Sequence, residues 1–215
     1  MPGTHLFGGL PEAELRRVIS VARRRRFARN EVVFHHGDPA DTLHLIAKGR
    51  FASRVTTQLG ESVTLAVQGP GEAFGELALV EPDAGRSTTV VALEAGETFA
   101  VGREEFNGLR DSYPGVNDVL GRLLAQKLRR QSELLAEALF VSAEDRVLRR
   151  VCELSRLYGG EIPLTQEDIA GLAGTSRATV NRVLRAEAKR GVVELRRGRT
   201  TVRDGEALVR RAGAV

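Results

Sequence analysis

Between Val32 and Val101 apolar residues fall in short alternating runs. Candidate strands are Val32–Phe34, Leu43–Ala47, Phe51–Thr56, Ser62–Val67, Ser87–Leu93 and Thr98–Val101. Turn residues separate them: Gly37-Asp38-Pro39, Lys48-Gly49, Leu59-Gly60, Gly69-Pro70-Gly71 and Ala95-Gly96. Many short strands at near-regular spacing with glycine turns predict a sandwich or barrel, here a jelly-roll-like β-domain preceded by a helix over Glu12–Ala22. After Pro114 the period lengthens to about 3.6. From Arg122 to Glu137 no glycine or proline interrupts it, and Leu124, Leu128, Gln131, Leu135 and Ala138 recur at 4-3-4-3 spacing. That is a two-heptad coiled-coil seam with one polar slot. Leu120, Leu123, Leu134 and Leu139 widen the stripe, so the helix is expected to pack on its own domain and on a second copy at once. From Ser142 the pattern is helical and then closes in a hairpin: Val192–Leu195, a turn at Arg197-Gly198, and Thr200–Val202. The fold class is therefore α+β: a β-domain over 1–113, a central dimerisation helix over 114–140, and a winged helical domain over 141–215.

Within the last region, Thr165 is placed to cap a helix, with Asp168 three residues on and Ile169, Leu172 and Ala173 as its apolar face. Gly174 supplies a left-handed turn, and Ser176 caps a second helix running to about Arg190. Two helices joined by a short glycine-bearing turn form a helix-turn-helix. On a wheel, Arg177, Ala178, Asn181, Arg182, Arg185 and Lys189 share one arc of roughly 140°, opposite Val180, Val183 and Leu184. A guanidinium grips guanine O6 and N7, and an asparagine amide matches adenine N6 and N7. Residues near the helix start reach base edges first, so Arg177, Ala178, Asn181 and Arg182 are the expected readers. Arg185, Lys189, Arg190 and the wing residues Arg196, Arg197 and Arg199 are expected on phosphates.

Charge sharpens this picture. The net charge of +4 over 215 residues hides a division. Residues 1–113 carry 13 Lys/Arg against 15 Asp/Glu, whereas Ser176–Arg203 carries 9 against 2, the excess that counterion release at a phosphate backbone requires. The Arg23–Arg26 run lacks such context and reads as a solvated face. No run of eighteen apolar residues is present, and Met1–His5 lacks the order of a secretory signal, so a cytoplasmic protein is expected. The single cysteine, Cys152, sits among Val147, Leu148, Val151 and Leu154 and is expected to be a buried thiol.

The order of β-domain, long helix and winged helix-turn-helix, with Leu164-Thr165-Gln166-Glu167-Asp168-Ile169-Ala170 and Ser176-Arg177-Ala178-Thr179-Val180-Asn181-Arg182, resembles the cyclic AMP receptor protein and fumarate–nitrate regulator family. The resemblance spans nearly the whole chain. Its second anchor, Gly71-Glu72-Ala73-Phe74-Gly75-Glu76-Leu77-Ala78-Leu79 followed by Gly85-Arg86-Ser87-Thr88, looks like the family's phosphate-binding cassette. Gly75 permits close backbone approach, and Glu76-Leu77-Ala78 can open a helical turn whose N–H groups face a phosphate. The resemblance implies that Arg86 and Ser87 bind the cyclic phosphate, with Thr88 beside them where a small alanine is usual. It implies further that Glu76 accepts from the ribose 2′-hydroxyl and that Gln131 and Ser132 on the central helix read the purine. Gln131 replaces a threonine, leaving adenine and guanine both open. Ala178 stands where the best-known member has a base-reading glutamate, so the target sequence should differ there. Thr165, Gln166, Ser176 and Thr179, at the starts of the two helices, complete the expected DNA contacts.

The function expected is a homodimeric transcription regulator, not an enzyme. No resident cofactor is implied; its effector is a cyclic nucleotide, cyclic AMP first. Its partners are double-stranded DNA with a near-palindromic site, a second copy and RNA polymerase, with no membrane. An oxygen-sensing cluster would need more cysteines than Cys152. His35, His36 and His44 read as surface or packing residues rather than haem ligands. Two alternatives stand: a constitutive DNA-binding regulator with a nucleotide-free β-domain, and a cupin-type metalloenzyme fused to a DNA-binding domain. The second lacks the His-x-His pattern such metal sites use.

Overall fold

The computed structural model describes residues 11–56, 62–81 and 84–213. Helix α1 (Glu12–Ser20) leads into strands β1 (Arg23–Phe27), β2 (Val32–Phe34), β3 (Thr42–Lys48), β4 (Phe51–Thr56), β5 (Ser62–Gln68), β6 (Ala73–Phe74), β7 (Thr89–Ala92) and β8 (Gly96–Gly102). They build two four-stranded sheets, ordered β1-β8-β3-β6 and β2-β7-β4-β5. The turn expected at Leu59-Gly60 and the segment Met1–His5 lie outside the described residues. The Arg23–Arg26 run is a strand, β1, paired antiparallel with β8 at the margin of its sheet. All four arginines stay exposed.

Helices α2 (Arg103–Ser112) and α3 (Val116–Phe140) follow. The chain divides into two compact units, the first holding the described residues up to 55 with 66–130, the second 56–65 with 131–213. Burial within the first unit explains its sequence pattern. Strand β3 is buried on both faces: Leu43 and Leu45 join Leu15, Val18, Phe106, Val116, Val119, Leu120 and Leu123 in one core, while Ile46 joins Phe27, Phe51, Phe74, Val90 and Ala92 in another. The first turns of α3 thus belong to the first unit's core. Leu124 packs partly against that core, but farther along the helix Leu128, Leu135 and Leu139 are 69%, 62% and 68% exposed.

The second unit comprises α4 (Ala143–Tyr158), β9 (Glu161–Ile162), α5 (Gln166–Ala173), α6 (Arg177–Lys189), β10 (Val193–Arg196), β11 (Arg199–Val202) and α7 (Gly205–Arg211). The Ser142 hydroxyl accepts from the Asp145 N–H and caps α4, and Gly159 ends it in the left-handed conformation. Cys152 is buried on α4, and burial pushes its thiol pKa up. The wing forms as expected, with Gly198 at φ +68° in its turn, and gains β9 as a third strand.

His44 lies inside the first unit, stacked on Phe74 at 4.9 Å with its Nδ1 3.0 Å from Thr98 Oγ1. Burial, then the charges of Arg86 and Arg25, lower its pKa to about 3. The unfolded chain binds this proton below about pH 6.5, the folded chain only near 3. The stability contributed by neutral, buried His44 is therefore complete above pH 6.5 and is lost as pH falls through that window. Urea unfolding at pH 7 and 4.5 should show a smaller loss in His44→Leu than in wild type; equal losses would remove His44 as the cause.

Candidate functional site

The cassette is assembled by a turn and a buried arginine. Gly75 adopts φ +78°, ψ +18°, open to glycine at no steric cost, and starts a 3₁₀ turn over Glu76–Leu79. The Ala78 N–H is taken by the Gly75 carbonyl at 3.2 Å, so that one of the three N–H groups expected to face a phosphate is committed within the turn. Arg86 is 6% exposed. Its Nη1 donates to the Thr42 carbonyl at 2.7 Å, its Nη2 to Asp41 Oδ1 at 3.2 Å, and its guanidinium carbon lies 4.1 Å from the centre of the Phe34 ring. Burial lowers the Arg86 pKa, and the carboxylates of Asp41 and Asp38 oppose that shift. Among the described residues, Arg86 Nε is buried without a hydrogen-bond partner.

Glu76 is also buried, and its partner is not Arg86. Lys127 on α3 donates to Glu76 Oε2 at 2.5 Å. The structure thus draws Glu76, Arg86, Asp41, Thr42 and Lys127 to the cassette; Asp41 and Lys127 were absent from the sequence-based set. Their partners lie 45 and 51 residues away in the chain, beyond the reach of any local motif. Ser87 is exposed and Thr88 half-buried beside Arg86. Gln131 and Ser132 are exposed on α3 and fall in the second unit. The role expected of Gly75 changes: a Cβ there would lie 2.8 Å from both Arg86 Nη1 and the Thr42 carbonyl, so the space over it is occupied by the arginine.

In the second unit the expected reader is built by its caps. Thr165 and Asp168 form a full capping box, with Thr165 N–H donating to Asp168 Oδ2 and Asp168 N–H to Thr165 Oγ1, both at 3.1 Å. The other Asp168 oxygen accepts from Thr64 Oγ1 at 2.9 Å. Gly174 turns the chain at φ +58°, and Arg146 of α4 binds the Ala173 and Gly174 carbonyls, fixing the bend from behind. Ser176 then caps α6. Val180, Val183 and Leu184 are buried, while Arg177, Ala178, Arg182, Arg185 and Lys189 are exposed and Asn181 and Thr179 half-buried.

Side-chain pairing sorts the basic residues. Arg182 pairs with Glu144 at the start of α4, Arg196 with Glu194, and Arg199 with Glu161. Arg177, Arg185, Lys189 and Arg197 have no ion-pair partner among the described residues. Gln166 Oε1 accepts from Asn181 Nδ2 at 2.9 Å, joining two of the expected contacts. A buried carboxylate escaped the sequence reading: Glu187, 1% exposed on the inner side of α6, receives Arg190 and Arg211 and so ties α7 to the recognition helix.

Among the described residues no group of three His, Cys, Asp or Glu side chains is placed to hold a metal ion, and no helix is long and apolar enough to cross a membrane.

This fold and these two sites define a class: a DNA-binding transcription regulator in which a cyclic-nucleotide-binding β-domain precedes a helix-turn-helix. Residues 24–113 match the cyclic nucleotide-binding domain, and residues 145–211 match the Crp-like helix-turn-helix domain. The chain is 37% identical over 209 residues to the cyclic AMP receptor protein of Thermus thermophilus, covering 97% of this chain and 96% of that one. It is 31% identical over 194 residues to the CRP-like cAMP-activated global transcriptional regulator of Mycobacterium tuberculosis, covering 86% of each. The crystal structure of the Thermus thermophilus catabolite activator protein matches with 36% identity, 99% coverage of both chains and a TM-score of 0.54. The c-di-GMP responsive regulator CLP of Xanthomonas campestris shares the fold at 22% identity and TM-score 0.76, covering 89% of this chain and 99% of that one. The chain belongs to the cyclic AMP receptor protein and fumarate–nitrate regulator family. It is a regulator, not an enzyme.

Gly75→Ala places a methyl against Arg86 and the Thr42 carbonyl at a positive φ. A loss of about 1–3 kcal/mol is expected in denaturant unfolding, against a gain of about 0.5–1 kcal/mol for Gly108→Ala inside α2, whose Cβ position is open.

Proposed function

We propose that this chain is a cytoplasmic homodimeric regulator whose DNA affinity is set by a cyclic nucleotide, cyclic AMP first, bound at the cassette. The observation that carries the effector assignment is the buried Arg86 with its Nε unpartnered beside Gly75. A buried donor without an acceptor is costly, and a cyclic phosphate is the acceptor that suits it. The Glu76 and Leu77 N–H groups and the Ser87 hydroxyl supply further neutral donors, with Thr88 at the rim. Glu76 gives Oε2 to Lys127 and keeps Oε1 for the ribose 2′-hydroxyl. Gln131 and Ser132 would meet the purine. The relatives named for cyclic AMP favour that nucleotide, while the regulator named for c-di-GMP responsiveness shares only the fold.

The bare stripe Leu128, Leu135 and Leu139 supports the second copy, because three leucines more than three-fifths exposed along one helix form a surface that self-association would bury. In this reading residues 1–113 sense, 114–140 dimerise and 141–215 read DNA. Arg177, Asn181 and Arg182 contact bases, with Ala178 against them. Thr165, Gln166, Ser176, Thr179, Arg185, Lys189, Arg197 and Arg199 hold the backbone. Nucleotide binding then acts by favouring one arrangement of the paired readers over another. RNA polymerase is the remaining partner that membership of this family of regulators favours.

Calorimetric titration with cyclic AMP, cyclic GMP and cyclic di-GMP tests the effector. Arg86→Leu should abolish the binding heat with circular dichroism unchanged, and unchanged affinity would overturn the cassette assignment. Leu128→Glu with Leu135→Glu should convert a dimer to a monomer in sedimentation equilibrium; a monomeric wild type, or a dimeric double variant, would remove the seam.

A further inference from the structure

The hydrogen bond between Gln166 and Asn181 constrains which base the recognition helix accepts. A side-chain amide carries two N–H donors and one oxygen acceptor. Here one Asn181 N–H is committed to Gln166 Oε1 at 2.9 Å, which leaves the amide one N–H and Oδ1 for a base. One donor beside one acceptor is the complement of adenine, which offers N7 as acceptor and N6–H as donor. Guanine offers two acceptors, O6 and N7, and needs two donors, which the committed amide no longer has.

Two neighbouring features direct the base to this residue. Ala178, one turn earlier on the same face, is exposed and ends in a methyl, so no longer side chain stands in front of Asn181. Arg182, next in the chain, is paired with Glu144 in the free protein and reaches a base only once that pair opens, whereas Asn181 is already set by Gln166. Gln166, as first residue of α5, has its carbonyl oxygen occupied and its Nε2 donors free of any partner among the described residues. Free donors at a helix start suit a phosphate oxygen.

We infer that Gln166 is a positioning residue that ties a backbone phosphate to Asn181, and that Asn181 thereby selects adenine over guanine at one symmetric position of each half-site. This rests on the base-reading role of α6 given above.

The test uses the full-length protein, with and without cyclic AMP. Duplexes selected from a random pool define the site, and fluorescence anisotropy then compares all four bases at the position Asn181 controls. Adenine should be preferred over guanine by about 5- to 150-fold, the span of one bidentate contact. Asn181→Ala should erase that preference at this position alone. Gln166→Met, which removes the acceptor, should reduce it to a few-fold with the thermal midpoint unchanged. Gln166→Glu keeps an acceptor for Asn181 but repels phosphate, so it should retain adenine preference and weaken all duplexes alike. Selection of guanine by the wild type, or a base profile unaffected by Asn181→Ala and Gln166→Met, overturns the inference. A wild type that selects no motif in either condition overturns the base-reading role of α6 as well.

Discussion

The first unit is organised around a cation that burial disfavours. Arg86 enters from the loop before β7 and crosses Gly75 where no side chain would fit. It lies flat on Phe34 and ends on Thr42 and Asp41. An isolated buried charge would cost several kcal/mol, and the carbonyl, the carboxylate and the ring face together offset much of that. The left-handed Gly75 and the acidic loop around Asp38 and Asp41 accommodate this one guanidinium, and its charge adds to the burial that keeps His44 neutral.

The second unit solves a different problem, holding two short helices at a fixed bend. An eight-residue helix is marginal alone, so α5 takes a reciprocal cap from Thr165 and Asp168 at one end and Arg146 on its carbonyls at the other. Helix α6 is anchored by three apolar residues and by the buried Glu187. The exposed face is then free to be basic, because nothing on it is needed for packing.

What was legible in the sequence is what local chemistry dictates. Thr165, Asp168, Gly174 and Ser176 announce the helix-turn-helix by caps and turns within four residues of their partners. The β-runs show because their alternation is a local period, and Gly75, Glu76 and Arg86 show through a resemblance of motif. Distant pairing hid the rest. Lys127 reaches Glu76 across 51 positions, and Glu187 finds Arg211 across 24, so neither carboxylate advertised its partner. Four consecutive arginines contradict the usual signature of a strand, yet β1 forms because Glu97 on β8 receives Arg24 and Arg26 and Phe27 enters the core. Helix α7 is short, with three charged residues in seven, and only Leu208 is buried from it.

That arginine strand has a consequence for how copies of the molecule meet. An edge strand is a template on which another chain can add, and aggregation through such edges is the standing hazard of open sheets. On β1 any approaching copy would bring its own row of guanidinium groups against this one, and the like charges would hold the two edges apart. The strand therefore guards this margin of the sheet by charge rather than by a covering element.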